Sequence, residues 1–188
     1  MCVRPIAVGL PALVLAIVCA ACSNRLKAPP LTNDAVFHDD AIGLRFLVPS
    51  GWAMQSREVV PVGPLPRTII VVSYAGPAGP NLATLELVAA DVPAEADLER
   101  FLSENGPGND QWTSLPPSKA IIVNGAEAIR FAQSRMQGKN EIRREVTAFR
   151  RGARVYFFVL AFPSADADVG DAARKTVESV TWTKSSGS

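Results

Sequence analysis

AIIVNGAEAIRFAQSRMQGKNEIRREVTAFRRGARVYFFVLAF, residues Ala120 to Phe162, decides the fold, because tight-turn signals separate its strand-like runs. Ala120-Ile121-Ile122-Val123 is a β-prone run followed at once by Asn124-Gly125, the strongest short hairpin signal. Ala126 to Ser134 returns with Ile129, Phe131 and Gln133 on one face and Arg130 on the other. Gln137-Gly138-Lys139-Asn140 turns the chain again. Glu141 to Arg150 then alternates Ile142, Arg144, Val146 and Ala148 against Glu141, Arg143, Glu145 and Thr147, so at least one of its faces is expected to be wet. Arg151-Gly152 makes the last tight turn. It leads into Val155 to Phe162, a run apolar on both faces that predicts a central strand covered on both sides. Pro163 ends it. The expected product is an antiparallel meander of four strands.

A helix is predicted next. Ser164 and Asp166 are capping candidates, Asp168 and Asp171 fall early, and Arg174 and Lys175 fall late, which suits the helix dipole. Val169, Ala172, Ala173, Thr176 and Val180 recur at helical spacing. Val180-Thr181-Trp182 reads as a short closing segment, with Trp182 in the core or at its rim. Before the meander, Ala35–His38 and Leu44–Val48 form a hairpin around Gly43, and Pro49-Ser50-Gly51 breaks the second strand ahead of Trp52. Thr68–Tyr74 and Leu82–Ala90 are strand candidates on either side of a Gly/Pro-rich loop, Gly76 to Asn81. A helix is expected from Pro93 to Glu104, burying Leu98, Phe101 and Leu102, with Asn105-Gly106-Pro107 as its stop.

This order resembles a known group. GLRFLVPSGW (Gly43 to Trp52) is similar to the F-x-x-P-x-x-W entry of PsbP-like domains. A run of strands, a helix, an Asn-Gly meander and a last helix ending in SVTW (Ser179 to Trp182) continue the likeness. The group includes DcrB-type and LpqN-type bacterial lipoproteins. The resemblance implies an α+β fold, an α/β/α sandwich about a mostly antiparallel sheet, covering about Ala35 to Trp182. It implies a non-catalytic binding or assembly factor and carries over no active-site residues.

The N-terminus points to a place. Arg4 precedes an uncharged apolar stretch, Ile6 to Ala21, that ends in Val18-Cys19-Ala20-Ala21-Cys22. A basic start, an apolar centre and small residues before a cut site describe a secretory signal peptide. The stretch falls slightly short of the roughly 20 residues of a membrane span, which sets an uncleaved anchor helix as the alternative. Ala20-Ala21-Cys22 resembles the lipobox of bacterial lipoproteins, with Cys19 where an aliphatic residue is usual. That resemblance implies cleavage after Ala21 and di- or triacylation of Cys22. It also implies residence in the cell envelope, facing the periplasm or exterior. Ser23 in the next position implies outer-membrane sorting if the organism is Gram-negative.

The organisation expected is therefore a signal peptide at 1–21 and a lipidated Cys22 with its tether at 22–34. A single domain at 35–183 and a flexible tail at 184–188 complete it. The tether, SNRLKAPPLTN after Cys22, is polar and stiffened by Pro29-Pro30. The cysteines are Cys2, Cys19 and Cys22, so the domain holds none; disulfides, thiolate metal sites and a cysteine nucleophile are excluded there. Loss of residues 1–21 removes Arg4 and no acid, taking the 19 basic residues to 18 against 18 acidic ones. Such neutrality argues against a nucleic-acid binder.

Candidate sites are few. His38 beside Asp39 and Asp40 reads as a metal or acid/base cluster or, more simply, as a polar hairpin end; one short cluster supplies too few ligands. No GxSxG motif accompanies it, so no catalytic residue, metal or cofactor is assigned. Arg130, Arg143, Arg144, Arg150 and Arg151 form the candidate surface for an anionic partner; the plainer reading is solvated hairpin tips guarding a sheet edge. Trp52, Trp112, Trp182, Phe157, Phe158 and Phe162 are core candidates or pocket walls. Trp112, in the loop Asn109–Pro117, is the candidate loop contact. Two functions stay open: an envelope binding or assembly module that meets a protein or cell-wall partner, and a carrier of a small ligand or lipid with an apolar pocket near residues 105–117. Replacing the lipidation residue, Cys22→Ser, should release the protein from membranes on fractionation; retention in the membrane with an uncleaved N-terminus would establish the anchor helix instead.

Overall fold

The structure, a computed structural model, describes residues 35–76, 83–107 and 112–183. The 1–21 segment, Cys22, the tether, residues 77–82 of the Gly/Pro loop and the 184–188 tail lie outside the described residues. The chain runs β1 (Val36–Asp39), β2 (Leu44–Leu47), β3 (Ala53–Arg57), β4 (Ile69–Ala75), β5 (Thr84–Asp91), α1 (Leu98–Asn105), β6 (Thr113–Ser114) and β7 (Lys119–Val123). It continues with β8 (Ala126–Gln137), β9 (Asn140–Arg151), β10 (Arg154–Pro163), α2 (Ala167–Glu178) and β11 (Thr181–Trp182). A large sheet has the order β3-β4-β5-β10-β9-β8-β6, with β7 also on β8, and a small sheet has the order β1-β2-β11. Every pairing is antiparallel.

The meander is present as expected. Asn124 (φ 47°) and Gly125 (φ 81°) both take the positive φ that a two-residue hairpin demands. Asn124 does more: its side-chain amide donates to the carbonyls of Glu178 (2.8 Å) and Val180 (2.9 Å), tying this turn to the end of α2. The central strand is β10, held between β5 and β9. Val155, Phe157 and Val159 face a layer made by α1 with Leu98 and Leu102, and the ring of Phe101 lies parallel to that of Phe157 at 6.3 Å. On the opposite face, Tyr156 and Phe158 pack under the small sheet with Phe37, Leu44 and Phe46, while Leu160 and Phe162 pack under α2 at Ala173. Phe158 is met edge-on by Phe46 at 5.2 Å and by Phe149 at 5.7 Å. The sandwich thus has α1 on one side of the large sheet and, on the other, α2 with the small sheet beside it.

Three expectations are corrected. The first helix begins at Leu98, five residues after Pro93, because Asp97 supplies the cap: its carboxylate accepts from the Arg100 N–H at 3.0 Å. Pro93 instead opens a turn closed by the Ala96 N–H, and Arg150 clamps that turn by donating to the carbonyls of Val92 and Pro93. Second, β9 has no continuous wet face, since Thr147 and Phe149 are buried alongside Val146 and Ala148. Third, Ala53–Arg57 is a strand; all five of its side chains are exposed, so it lacks the hydrophobic signature by which strands are recognised.

Gly170 marks where α2 sits closest to the sheet. A Cβ there would lie 2.7 Å from the Phe162 ring. In an open helix Gly→Ala gains about 1 kcal/mol; here the overpacking reverses the sign. Gly170→Ala should lower unfolding free energy by about 1–3 kcal/mol in denaturant titrations.

Candidate functional site

Two polar residues interrupt the inward-facing apolar rows of the meander. Gln133 follows Phe131 on β8, and Arg144 follows Ile142 on β9; the register sets them directly opposite each other. Both are almost fully buried, at 1% and 4% exposure. Arg144 donates from Nε to Gln133 Oε1 at 2.9 Å, with a second bond from its Nη2 to the same oxygen. The Gln133 amide donates onward to Glu99 Oε1 (3.2 Å) and bonds Ser103 Oγ (3.0 Å), both on α1. The chain is continuous from strand to helix, and it leaves the buried amide with partners on both ends.

Trp112 closes this network from outside. Its ring stacks on the guanidinium of Arg144, with Cζ 4.3 Å from the ring centroid, and on that of Arg135 at 4.7 Å. A guanidinium shielded in this way recovers from the ring quadrupole part of what it loses in hydration. Glu86 is the nearby acid: burial pushes its carboxyl above the usual range, against the pull of Arg144. What meets Trp112 is therefore a buried cation. The sequence held a signal for this site, a Gln and an Arg each in an apolar row, but it did not show that the two rows face each other.

The five candidate arginines do not gather on one face. Strand alternation places Arg144 and Arg150 on the α1 side and Arg130, Arg143 and Arg151 on the other. Arg130 lies 3.3 Å from Thr147 Oγ1, and Arg143 pairs with Glu145 at 2.8 Å. Arg150 holds the Pro93 turn. Arg151 is exposed and lies over the Trp182 ring at 5.1 Å. Trp182 itself packs on Tyr156 and Phe149 at the rim of the core. Glu145 also accepts two bonds from Arg174 of α2, at 2.7 and 2.9 Å. Burial drives the Glu145 carboxyl upward, but that hydrogen bond and the charges of Arg174, Arg143 and Arg130 outweigh it and hold the group below its ordinary range. Asp91 is likewise held low, chiefly by its hydrogen bond from Arg154 and also by the Leu65 N–H.

His38 contacts Asp40 at 2.8 Å, with both side chains largely exposed, and Asp39 lies 3.7 Å from Arg57. Among the described residues no three of His, Cys, Asp and Glu come together as a metal site would require. Two open grooves lie away from Trp112. One of about 410 Å³ is lined by Gly63, Pro64, Asp91, Arg151, Arg154 and Tyr156. The other, of about 340 Å³, follows β7 from Ile121 to Asn124 and includes Arg130 and Glu178. Among the described residues no helix is long and apolar enough to cross a membrane.

No protein-family model matches the chain, and no curated protein matches its sequence. Solved structures do match. Cyanobacterial PsbP (CyanoP) from Synechocystis sp. PCC 6803 shares 15% identity over 82% of this chain and 96% of its own, with a TM-score of 0.58. A protein from Bacteroides thetaiotaomicron VPI-5482 shares 8% identity over 83% of this chain and about half (51%) of its own, at 0.52. LpqN of Mycobacterium tuberculosis, involved in cell envelope biogenesis, is similar at 15% identity over 80% and 91% of the two chains, at 0.45. The domain has a PsbP-like fold, as the Gly43–Trp52 entry and the meander implied, and the fold is what the likeness to CyanoP establishes.

Two measurements follow from the site. Trp112→Ala strips the cover from Arg144 and should cost about 1–3 kcal/mol of stability by denaturant titration, given about 0.5–2 kcal/mol for each cation–π contact. Glu145 is held below its ordinary pKa in the fold, so it stabilises the protein above about pH 4 and this contribution is lost as pH falls through its folded value. Glu145→Gln should be less stable than the parent at pH 7, and the gap should close as unfolding is repeated at pH values descending below 4.

Proposed function

We propose that this protein is a lipid-anchored, non-enzymatic component of the cell envelope that binds or helps assemble another envelope component. The observation that carries the reading is how fully the described core closes around β10. Phe157 and Phe158, back to back on β10, are 0% and 1% exposed, one under α1 and the other under the small sheet. Recognition then falls to the surface, as in a module that meets a macromolecule, whereas a carrier needs a concave apolar chamber. Trp112, the residue through which a chamber near 105–117 would open, is occupied by two guanidinium groups.

The anchoring half of the proposal rests on Ala20-Ala21-Cys22 and on the polar, proline-bearing tether that follows. Two or more acyl chains suffice for stable attachment, each buried CH₂ contributing about 0.8 kcal/mol. A tethered domain meets partners confined to the same membrane at high effective concentration, so a modest surface contact is enough. Crosslinking in intact cells, followed by recovery of the native lipoprotein in detergent, should yield one discrete envelope protein or polymer in fixed proportion. Recovery of abundant lipids alone, with no macromolecule, would favour the carrier.

A further inference from the structure

The large sheet has two margins, and they are built differently. β3 shifts register between Met54 and Ser56 and ends in Arg57; bulges and charges of this kind discourage another strand from adding. β7 pairs with β8 in unbroken register from Lys119↔Arg130 to Val123↔Ala126. Among the described residues no strand pairs with its outer side. A regular edge offers a row of backbone N–H and C=O groups to an incoming strand.

Its side chains are equally unusual for a solvated edge. Ala120, Ile122 and Ile129 share one face, where Ile122 is 75% and Ile129 is 38% exposed. Lys119, Ile121 and Val123 share the other, the face covered by α2. There Lys119 stands directly opposite Arg130. Like charges in register repel; Arg130 already acts on Glu145, and a carboxylate brought beside Lys119 would offset the repulsion. Glu178 stands at the far end of the same groove, where the Asn124 amide holds its backbone carbonyl.

We propose that β7 pairs with the same strand of a second copy of this chain, antiparallel about a twofold axis at Ile121, so that two large sheets join into one. In this register Lys119 lies opposite the partner's Val123, and Ile122 lies opposite the partner's Ala120. A twofold axis perpendicular to the sheet keeps each face on its own side. Lys119 therefore arrives next to the partner's Glu178, and the arrangement repeats symmetrically. The same register covers Ile122 on the opposite face. Charge complementarity singles out a second copy: the acid that answers Lys119 is fixed on this chain, three residues before β11.

The register is testable at single-residue resolution. The chain's cysteines are Cys2, Cys19 and Cys22, so no native thiol of the described domain competes. Residues facing each other in an antiparallel pair have Cα atoms about 4.5–5.5 Å apart, within reach of a disulfide. In intact cells Ile121→Cys, on the axis, should give a species of twice the monomer mass on a non-reducing gel, and Val123→Cys should not. A second measurement, sedimentation of the detergent-solubilised lipoprotein, uses exposed positions that leave the fold intact by circular dichroism. Lys119→Glu should weaken self-association about tenfold, two exposed ion pairs turning to repulsion. The exchange Lys119→Glu with Glu178→Lys should restore it. A monomer at every concentration, an Ile121→Cys crosslink to a chain of different mass, or a charge exchange that restores nothing would each overturn the proposal.

Discussion

β10 must be dry on both faces, and the rest of the molecule answers that requirement. Its alternating side chains are large in both directions, with Val155, Phe157 and Val159 pointing one way and Tyr156, Phe158, Leu160 and Phe162 the other. A fully buried Phe is worth about 1.5–3 kcal/mol relative to exposure, so neither face tolerates water. α1 covers the first at Val155, Phe157 and Val159. The second is shared by α2 and a small sheet, because α2 reaches only the Leu160–Phe162 end. Gly170, where a side chain would strike the Phe162 ring, is the point of closest approach that this cover depends on.

The polar features are arranged around the same constraint. Where α1 presents Glu99 and Ser103 to the sheet, Gln133 and Arg144 take the place of apolar residues. Burying an arginine is costly unless it is bonded and shielded; here Gln133 bonds it and Trp112 shields it. On the opposite face Glu145, nearly buried beneath α2, is held charged by Arg174 and Arg143. The arginines of the meander thus serve mainly to finish the cover over the sheet's ends, Arg150 by pinning the Pro93 turn and Arg144 by joining strand to helix. Arg151, stacked on Trp182 at the surface, stands apart from them.

Much of this was legible in the sequence because turn chemistry and period-two patterning are local. Asn124-Gly125, Gly138 and Gly152 marked the hairpins, and the run Val155–Phe162 announced a strand with two dry faces. What escaped was set by distant partners. Helix α1 starts at Leu98 instead of Pro93 because Asp97 caps it and the Val92 and Pro93 carbonyls are taken by Arg150, 58 and 57 residues away in sequence. β3 was silent since its five side chains are all exposed; its pairing with β4 rests on the backbone ladder and on a bond between the Ser56 and Ser73 hydroxyls. The Gln133–Arg144 pair appeared as two unrelated polar intrusions until the register of β8 on β9 brought them together. The expectation for Cys22 and its surroundings falls outside the described residues.

The small sheet has a consequence for how such a chain acquires its shape. β2 lies between β1, its immediate neighbour in sequence, and β11, which pairs Trp182 with Leu44 and Thr181 with Arg45 across nearly the whole length of the domain. Leu47 adds a bond from its N–H to Ser179 Oγ. The first described hairpin is thus completed by the last described strand of the chain. Until Trp182 arrives, Leu44 and Phe46 have no finished cover, and loop closure over such a span is slow. The topology itself delays the native small sheet until both ends of the domain, Leu44 and Trp182, are present together.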